Sequence, residues 1–234
     1  MPLGVITAEE MRDILRHLTE ADGFPVPALI ENAANALVTQ VRLMLERLPG
    51  SQIIGLAGPG QTGAVTIATA RRLAGAGAQL TILLATERSE LSELAAAQLR
   101  LAEPFGIRIF DPGALIPPGQ LVIDGLVGST EPPALSPSAA SLVDAALRLK
   151  LPILAIDVPS GLNATTGKAD LPTIRADVTV TLGYPKAGLR KPFAKNLVGR
   201  LVVADIGIPP TTWKRRGLLP PDFTAGPLVE VLAE

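Results

Sequence analysis

Short aliphatic runs alternate with helical segments along most of this chain, and that alternation constrains the fold more than any other feature. Each run is apolar at consecutive positions, which is typical of strands that are buried on both faces of a sheet. Strands that are separated by helices are joined by right-handed crossovers and lie parallel. The pattern predicts a doubly wound α/β fold, with a mostly parallel sheet and helices on both faces. The predicted strands are residues 53–57, 80–84, 107–110, 121–123, 153–156, 178–182 and 201–204.

The 234 residues fit a single domain of this three-layer, Rossmann-like class. We predict two N-terminal helices within residues 7–48, an α/β core over residues 51–208 and an extended tail over residues 209–234. Thr7 and Glu10 have the spacing of a capping box and mark the start of the first helix. The second helix is predicted to start near Pro27 and to end at Pro49.

The composition narrows the classes of partner and the cellular compartment. The net charge is −1, so no basic surplus exists to neutralise a nucleic-acid backbone, and we expect no nucleic-acid partner. The chain has no cysteine, which excludes disulfides and thiol chemistry and suits the cytoplasm. Neither a signal-peptide pattern nor an apolar run of bilayer length is present, so we expect no membrane association.

A glycine-rich turn follows the first predicted strand, at Gly58-x-Gly60-x-x-Gly63, and opens a helix. In that setting, glycines let main-chain N–H groups approach a phosphate, and the helix N-terminus adds positive potential. Glu87, after the second strand, is placed to contact a ribose hydroxyl. The alternative is a tight strand-to-helix turn with no ligand.

Two aspartates end neighbouring aliphatic strands, Asp124 before Gly125 and Asp157 in the segment Asp157-Val158-Pro159-Ser160-Gly161. A carboxylate at the end of a buried strand lowers stability unless something pairs with it or solvates it. Carboxyl ends of parallel strands are where ligands bind, so the two groups could hold a cation or act as acid and base. Helix capping by Asp124 and a hydrogen-bonded turn around Asp157 are the structural alternatives.

Two further polar residues have open roles. Asn32, in the second helix, either reaches the pocket or hydrogen-bonds a neighbouring segment. Lys186 follows a predicted strand and either contacts a phosphate or lies on the surface.

Several motifs occur together in one order, and with them the chain resembles the YjeF N-terminal family, over residues 7–209. The resemblance implies a Rossmann-like fold and an epimerase that interconverts the two C6 epimers of hydrated NADH and NADPH, with a bound potassium ion. It implies potassium ligands at Asp124, Ser160 and Thr62, and a substrate contact at Asp157, which is our candidate for proton transfer. The motifs are residues 29–33, 58–60, 123–128, 156–163, 176–181, 185–189 and 205–209. The predicted substrate-binding residues are Gly58, Gly60, Gln61, Thr62, Gly63, Gly128, Asn32 and Lys186.

The glycine-rich loop departs from the family pattern, in which Gly-Pro-Gly is followed by Asn-Asn-Gly-Gly-Asp-Gly. Here Thr62 replaces an asparagine cation ligand and Val65 replaces the acidic residue. Valine neither binds a cation nor moves a proton, so we expect activity below that of typical members. The loop after Gly128 is also short and proline-rich.

Two other functions compete with a working epimerase. The altered loop favours a module that binds ligand or forms dimers without catalysis, similar to the YjeF-type domain of messenger-RNA decapping enhancers. Retention of Asp124, Asp157 and Ser160 opposes it. A nicotinamide-dependent dehydrogenase is suggested only by the glycine pattern and Glu87. A mean hydropathy of +0.36, together with the resemblance, predicts a homodimer.

Overall fold

The fold is that of a computed structural model in which residues 3–231 are described. Eight strands form one sheet in the order β3-β2-β1-β4-β5-β6-β7-β8. Neighbours from β3 to β7 are parallel, and only β8 is antiparallel to its neighbour. The strands are β1 Gln52–Ala57, β2 Gln79–Leu84, β3 Arg108–Phe110, β4 Leu121–Gly125, β5 Ile153–Ile156, β6 Val178–Leu182, β7 Arg200–Ala204 and β8 Leu228–Glu230.

Helices separate most of the consecutive strands, as the alternation of the sequence predicts, and two helices precede the first strand. Thr7 caps the first one through a complete capping box with Glu10, and a π-helical turn, His17–Ala21, continues it. The helices are α1 Ala8–Arg16, α2 Val26–Met44, α3 Gln61–Gly75, α4 Glu93–Ala102, α5 Pro137–Leu149, α6 Lys195–Val198 and α7 Pro210–Lys214. Short 3₁₀ turns occupy Arg88–Glu90, Glu103–Phe105, Ala187–Arg190 and Pro192–Ala194.

Alternate residues of each central strand face two different apolar layers. In β1, Ile53 and Ala57 pack with α1 to α4, whereas Ile54 and Leu56 pack with α5. The side chains of a strand alternate between the two faces, and an apolar layer covers each face. Every β1 position is therefore buried except the first. The prediction of a doubly wound sheet with helices on both faces is confirmed.

The strand order reverses direction next to β1. The chain runs outward through β2 and β3, then returns to place β4 on the other side of β1. Loops that leave β1 and β4 in opposite directions open a crevice at the carboxyl ends of these strands, where doubly wound folds bind ligands. The glycine-rich turn and Asp124 belong to these two strands and therefore meet at this crevice.

The second helix ends earlier than the sequence predicts. It stops at Met44 because Leu45 is extended, with φ −115° and ψ 130°. The chain then turns, and the Leu48 carbonyl accepts a 3.1 Å hydrogen bond from Ser51 N–H. Leu48 is nevertheless buried, so its apolar side chain serves the core from a turn rather than from a helix.

The chain after residue 209 is less extended than predicted. It forms α7, whose Trp213 is 2% exposed and lies against Tyr184 with ring centroids 4.9 Å apart. It then adds β8 to the sheet edge through antiparallel pairing with β7. Burial of an indole and edge pairing both stabilise the segment, which periodicity over so few residues does not reveal. Within residues 3–231, none of the helices combines the length and the apolar character that a bilayer crossing requires.

Candidate functional site

A cavity of about 780 Å³ lies at the carboxyl ends of the central strands. Its volume is in the range of small-molecule sites. The α1–α2 region forms its apolar wall, with Leu29, Ile30 and Ala33. The polar wall comes from the loops after β1, β4, β5 and β6, and its members are Gly60, Gln61, Thr62, Glu131, Asp157 and Lys186.

Close approach of the backbone explains the glycines of the turn after β1. A Cβ on Gly58 would lie 1.8 Å from the Leu126 carbonyl oxygen, and one on Gly63 would lie 1.9 Å from the Gly58 carbonyl oxygen. No backbone movement smaller than a rearrangement of the loop relieves such contacts. Gly60 differs, because a Cβ there would meet a side-chain oxygen, Oε1 of Glu131, at 2.1 Å. Gly58 and Gly63 thus fix the loop, and Gly60 leaves room for a carboxylate.

Asp157 is held in a left-handed backbone conformation, with φ 67°, directly after β5. Its Oδ1 accepts hydrogen bonds from Lys186 Nζ at 2.6 Å and from Leu182 N–H at 3.2 Å. Its Oδ2 accepts one from Ser129 N–H at 2.8 Å. Non-glycine residues adopt such a φ only where the surroundings enforce it, so the contacts orient this carboxylate toward the cavity wall.

Lys186 is fully buried and pairs with Asp157. It also donates to Thr181 Oγ1 at 3.2 Å and to the Leu182 carbonyl oxygen at 2.7 Å. Burial alone would raise the pKa of Asp157, but the charge and hydrogen bond of Lys186 outweigh it and lower that pKa. Burial lowers the pKa of Lys186, and Asp157 opposes that shift. The sequence suggested that Lys186 either contacts a phosphate or lies on the surface. The structure instead places it in a buried ion pair with Asp157.

Asp124 is also fully buried, but its hydrogen-bond donors are all neutral. Ser160 donates to it twice, from Oγ to Oδ1 at 2.7 Å and from N–H to Oδ2 at 2.9 Å. Leu126 N–H lies 3.3 Å from Oδ1. Burial dominates these bonds and raises the pKa of Asp124 from 3.8 to about 6.

Asp124 is a candidate ligand for a cation. A buried carboxylate without a cationic side chain needs a counter-charge near neutral pH. The Ser160 hydroxyl is in direct contact with the Asp124 carboxylate. Hydroxyl and carboxylate oxygens are ligands that hard cations accept. Among residues 3–231, no group of three or more His, Cys, Asp or Glu side chains is arranged to hold a metal ion.

Glu131 is a member of the cavity wall that sequence reasoning missed as a functional residue. It belongs to the short loop after β4, and its Oε2 accepts a hydrogen bond from Gly128 N–H at 3.3 Å. Burial raises the pKa of Glu131; the N–H groups of Gly128, Thr62 and Gln61 lower it, and the charge of Asp157 raises it further. Glu131 lies in the loop that follows β4, the strand beside β1 where the strand order reverses. Because ligands bind at that point of the sheet, this position could have identified Glu131 from the sequence.

The remaining positions considered from the sequence are not part of the polar wall of the cavity. Asn32 Nδ2 donates to the Ile206 carbonyl oxygen at 3.2 Å and so joins α2 to the loop after β7. Val65 lines the cavity one turn into α3. Glu87 is exposed and is not among the described residues that line the cavity.

Comparison with known proteins identifies relatives over most of the chain. Residues 26–188 match the model of the family described as YjeF-related protein N-terminus. A NAD(P)H-hydrate epimerase from Rhodopirellula baltica is 33% identical over 214 residues, covering 89% of this chain and 86% of the relative. One from Dehalogenimonas lykanthroporepellens is 34% identical over 235 residues, covering 97% and 93%.

A solved structure has the same fold. The crystal structure of the yeast protein YNL200c superposes with a TM-score of 0.85 and covers 97% of this chain and 100% of its own. At 21% sequence identity, this likeness supports the fold and no more.

Proposed function

This chain belongs to the family of YjeF-related protein N-termini, and on that premise we propose that it is an isomerase, an epimerase of the C6 hydrates of NADH and NADPH. The reaction repairs a damaged nicotinamide nucleotide. The observation that carries the proposal is the cavity at the switch point of the sheet, with Asp157 oriented at its wall. Relatives that share at least 30% of their residues over most of the chain carry this activity in their names.

We propose that the nicotinamide nucleotide binds in this cavity. Gly60, Gln61 and Thr62 line the cavity at the N-terminus of α3, whose positive end would favour a ligand phosphate. Gly58 and Gly63 shape that turn, and Asn32 positions the apolar wall. Gly128 and Lys186 shape the site by holding the carboxylates of Glu131 and Asp157.

We propose further that a potassium ion is held by Asp124, Ser160 and Thr62. The support is the buried carboxylate of Asp124, which lacks a charged partner and whose pKa is raised to about 6. The ion would supply a fixed positive charge beside the substrate cavity. Asp124 and Ser160 would themselves keep the β4 and β5 loops together, through the two hydrogen bonds that join them.

The rival function is a module that binds the nucleotide without converting it. Val65 favours this rival, because the resemblance to the family implies an acidic residue at this position and valine neither binds a cation nor moves a proton. Asp157 at the cavity wall favours the epimerase, since a binding surface has no need of a carboxylate held in a left-handed conformation.

Asp157→Asn tests the proposed function. Asparagine tolerates the left-handed backbone, but an amide neither carries the charge nor accepts a proton. We expect turnover of hydrated NADPH epimers, followed by chromatography, to fall at least tenfold, or about 1.4 kcal/mol. Because Lys186 loses its counter-ion, thermal stability is measured on the same variant and turnover is measured below its melting temperature. Asp144→Asn, at an exposed position of α5, is the matched control.

Unchanged turnover in a folded Asp157→Asn variant would show that Asp157 is not needed for the reaction. Failure of the unaltered protein to convert either epimer, combined with measurable binding of NADPH, would favour the binding module instead.

We also propose a cytoplasmic homodimer. The exposed apolar side chains near the β3 edge support the dimer: Leu101 is 53% exposed, Phe105 43% and Phe110 40%. Light scattering should give twice the chain mass of 24.3 kDa. The measurement is made at roughly tens of micromolar protein, a concentration at which specific interfaces persist. A monomer mass would contradict it.

A further inference from the structure

A second cavity opens beside the one at the carboxyl ends of the strands. Its volume is about 490 Å³, and the loops after β4 and β5 line it together with α1. Asp157 and Lys186 line the first cavity and not the second, so the proposed reaction belongs to the first. The two cavities share a wall, because four residues line both of them: Arg12, Ser129, Thr130 and Glu131.

Among the described residues, Arg12 is the one cation of the two cavities whose side chain has no partner. The cationic residues that line these cavities are Arg12, Arg16 and Lys186. Arg16 pairs with Asp13 at 2.8 Å, and Lys186 pairs with Asp157 at 2.6 Å. The guanidinium of Arg12 has neither a hydrogen bond nor an ion pair within residues 3–231. Guanidinium groups bind phosphate through two parallel hydrogen bonds, so Arg12 is available to an anionic ligand.

Two buried oxygens of the shared wall also lack hydrogen-bond partners in the described part of the chain. Ser129 is 3% exposed, and its Oγ makes no hydrogen bond. This hydroxyl lies close enough to Asp157 to lower the pKa of that carboxyl without completing a bond. Glu131 Oε1 is the other oxygen without a partner. Native proteins rarely leave such atoms unsatisfied, and the hydroxyl groups of a sugar would satisfy both.

The loop after β5 brings neutral hydrogen-bonding groups to the second cavity. Asn163 Oδ1 accepts hydrogen bonds from Thr165 N–H at 3.0 Å and from Thr166 N–H at 2.9 Å, which fold this loop into a turn. Thr165 Oγ1 accepts one from Ala8 N–H at 3.0 Å and so joins the loop to the first turn of α1. A hydroxyl that accepts a hydrogen bond keeps its own proton to donate. The loop therefore adds donors to this cavity without adding a carboxylate.

We propose that the second cavity is the subsite for the adenine nucleotide of the substrate, in which Arg12 binds a phosphate and Ser129 and Glu131 hydrogen-bond a ribose. The inference rests on the proposed function, since it takes the nicotinamide ring to lie beside Asp157. NADH and NADPH each join a nicotinamide nucleotide to an adenine nucleotide through a pyrophosphate. With the ring in the first cavity, the rest of the molecule crosses the shared wall at Arg12. The subsite makes the chain selective for dinucleotides over mononucleotides.

Binding of unhydrated nucleotides tests the subsite without requiring turnover. Calorimetry measures the Kd of NADPH, NADH and reduced nicotinamide mononucleotide. We expect Arg12→Gln to weaken NADPH binding about tenfold or more, the contribution of one charge-assisted contact to phosphate, and to change mononucleotide binding less than about twofold. Equal losses for NADPH and NADH would support a contact to the pyrophosphate, and a loss for NADPH alone would support a contact to its additional phosphate. Arg42→Gln, at an exposed arginine of α2 outside both cavities, should leave all three Kd values unchanged.

Two further variants separate occupation of the second cavity from other effects of Arg12. Thr166→Trp places a bulky ring in this cavity from an exposed loop position, so it should weaken binding of both dinucleotides and spare the mononucleotide. Ser129→Ala removes a hydroxyl that has no partner among residues 3–231, so the melting temperature should hold. Loss of its hydrogen bond to the ligand should weaken NADPH binding roughly fivefold.

The outcomes distinguish the subsite from the proposed function. Equal losses for dinucleotide and mononucleotide in Arg12→Gln would place this arginine at the nicotinamide end and overturn the subsite. Unchanged binding of all three nucleotides in Arg12→Gln and Thr166→Trp would overturn it as well. If the expected binding pattern were found without turnover by the unaltered protein, the epimerase would be overturned and the subsite supported. No binding of any of the three nucleotides would overturn both.

Discussion

The two strand-end aspartates have the same chemistry and opposite surroundings. Asp124 lies in β4 and Asp157 directly follows the adjacent strand β5. Asp157 faces a lysine, and its pKa is lowered; Asp124 faces only neutral donors, and burial raises its pKa to about 6. The fold therefore stabilises its two buried carboxylates differently: a lysine ammonium pairs with one, and neutral hydrogen-bond donors surround the other. The comparison separates an aspartate that is paired with a lysine from one that has only neutral hydrogen-bond donors.

Removing the lysine should have the largest effect. Lys186→Met leaves Asp157 charged, buried and unpaired, and we expect the free energy of unfolding to fall by about 3–5 kcal/mol. Urea denaturation measures it, with Lys168→Met at an exposed lysine as the control, expected within about 0.5 kcal/mol of the unaltered protein. The double variant Lys186→Met/Asp157→Asn should recover much of the loss, because the unpaired charge is gone. An additive double variant would show that the pair does not act as a unit.

The second largest effect should be the dependence of stability on pH, which differs between Asp124 and Asp157. A carboxyl whose pKa is raised in the fold contributes stability that is present below its unfolded pKa and is lost as pH rises through its folded pKa. The difference between 3.8 and about 6 corresponds to about 3 kcal/mol. In potassium-free buffer, Asp124→Asn should therefore gain stability relative to the unaltered protein as pH increases from about 4 to about 7. A constant difference between the two proteins across that window would contradict the raised pKa.

Asp157 should show the reverse trend. Its pKa is lowered, so the stability it contributes is present above the unfolded pKa and is lost as pH falls.

Potassium should give a smaller effect that separates the two sites. An ion at ten times its Kd stabilises the native state by about 1.4 kcal/mol. We expect thermal unfolding at pH 7 to shift upward with potassium chloride and not with tetramethylammonium chloride. Asp124→Asn should remove the shift, and Asp157→Asn should keep it, because Asp157 already has a cationic partner. Equal shifts in both variants would place the ion elsewhere.

A single hydrogen bond should have the smallest effect. Thr181 Oγ1 donates to Asp157 Oδ1 at 3.3 Å, and Thr179 Oγ1 donates to the Val198 carbonyl oxygen at 2.7 Å. Thr181→Val and Thr179→Val should each lower the free energy of unfolding by about 1 kcal/mol. Only the loss in Thr181→Val should become smaller as pH falls through the pKa of Asp157, since it alone withdraws a donor from that ionised carboxylate. If the stability of the two variants depended on pH in the same way, Thr181 would not contribute to stabilising the Asp157 carboxylate.

The sequence by itself determined the layers of this fold. Runs such as Ile153–Ile156 are apolar on both faces, and only a sheet covered on each side buries them. The strand ends that face the ligand follow from the same pattern, so Asp124, Asp157 and the glycine-rich turn could be placed at one edge. The end of α2 and the form of the tail were not predictable, because Leu48 and Trp213 are buried from turns and short segments without periodicity.

Only the tertiary structure decided what each site residue contacts. Lys186 lies 29 positions from Asp157, and Glu131 approaches a helix that begins at Gln61, so neither contact has a signal in local spacing. Secondary structure follows from short-range periodicity, whereas pairing of buried charges depends on which loops the strand order brings together. That order runs β1, β4, β5, β6 across the crevice. For this reason, the same residue type at two strand ends became an ion pair at one and a carboxyl without a charged partner at the other.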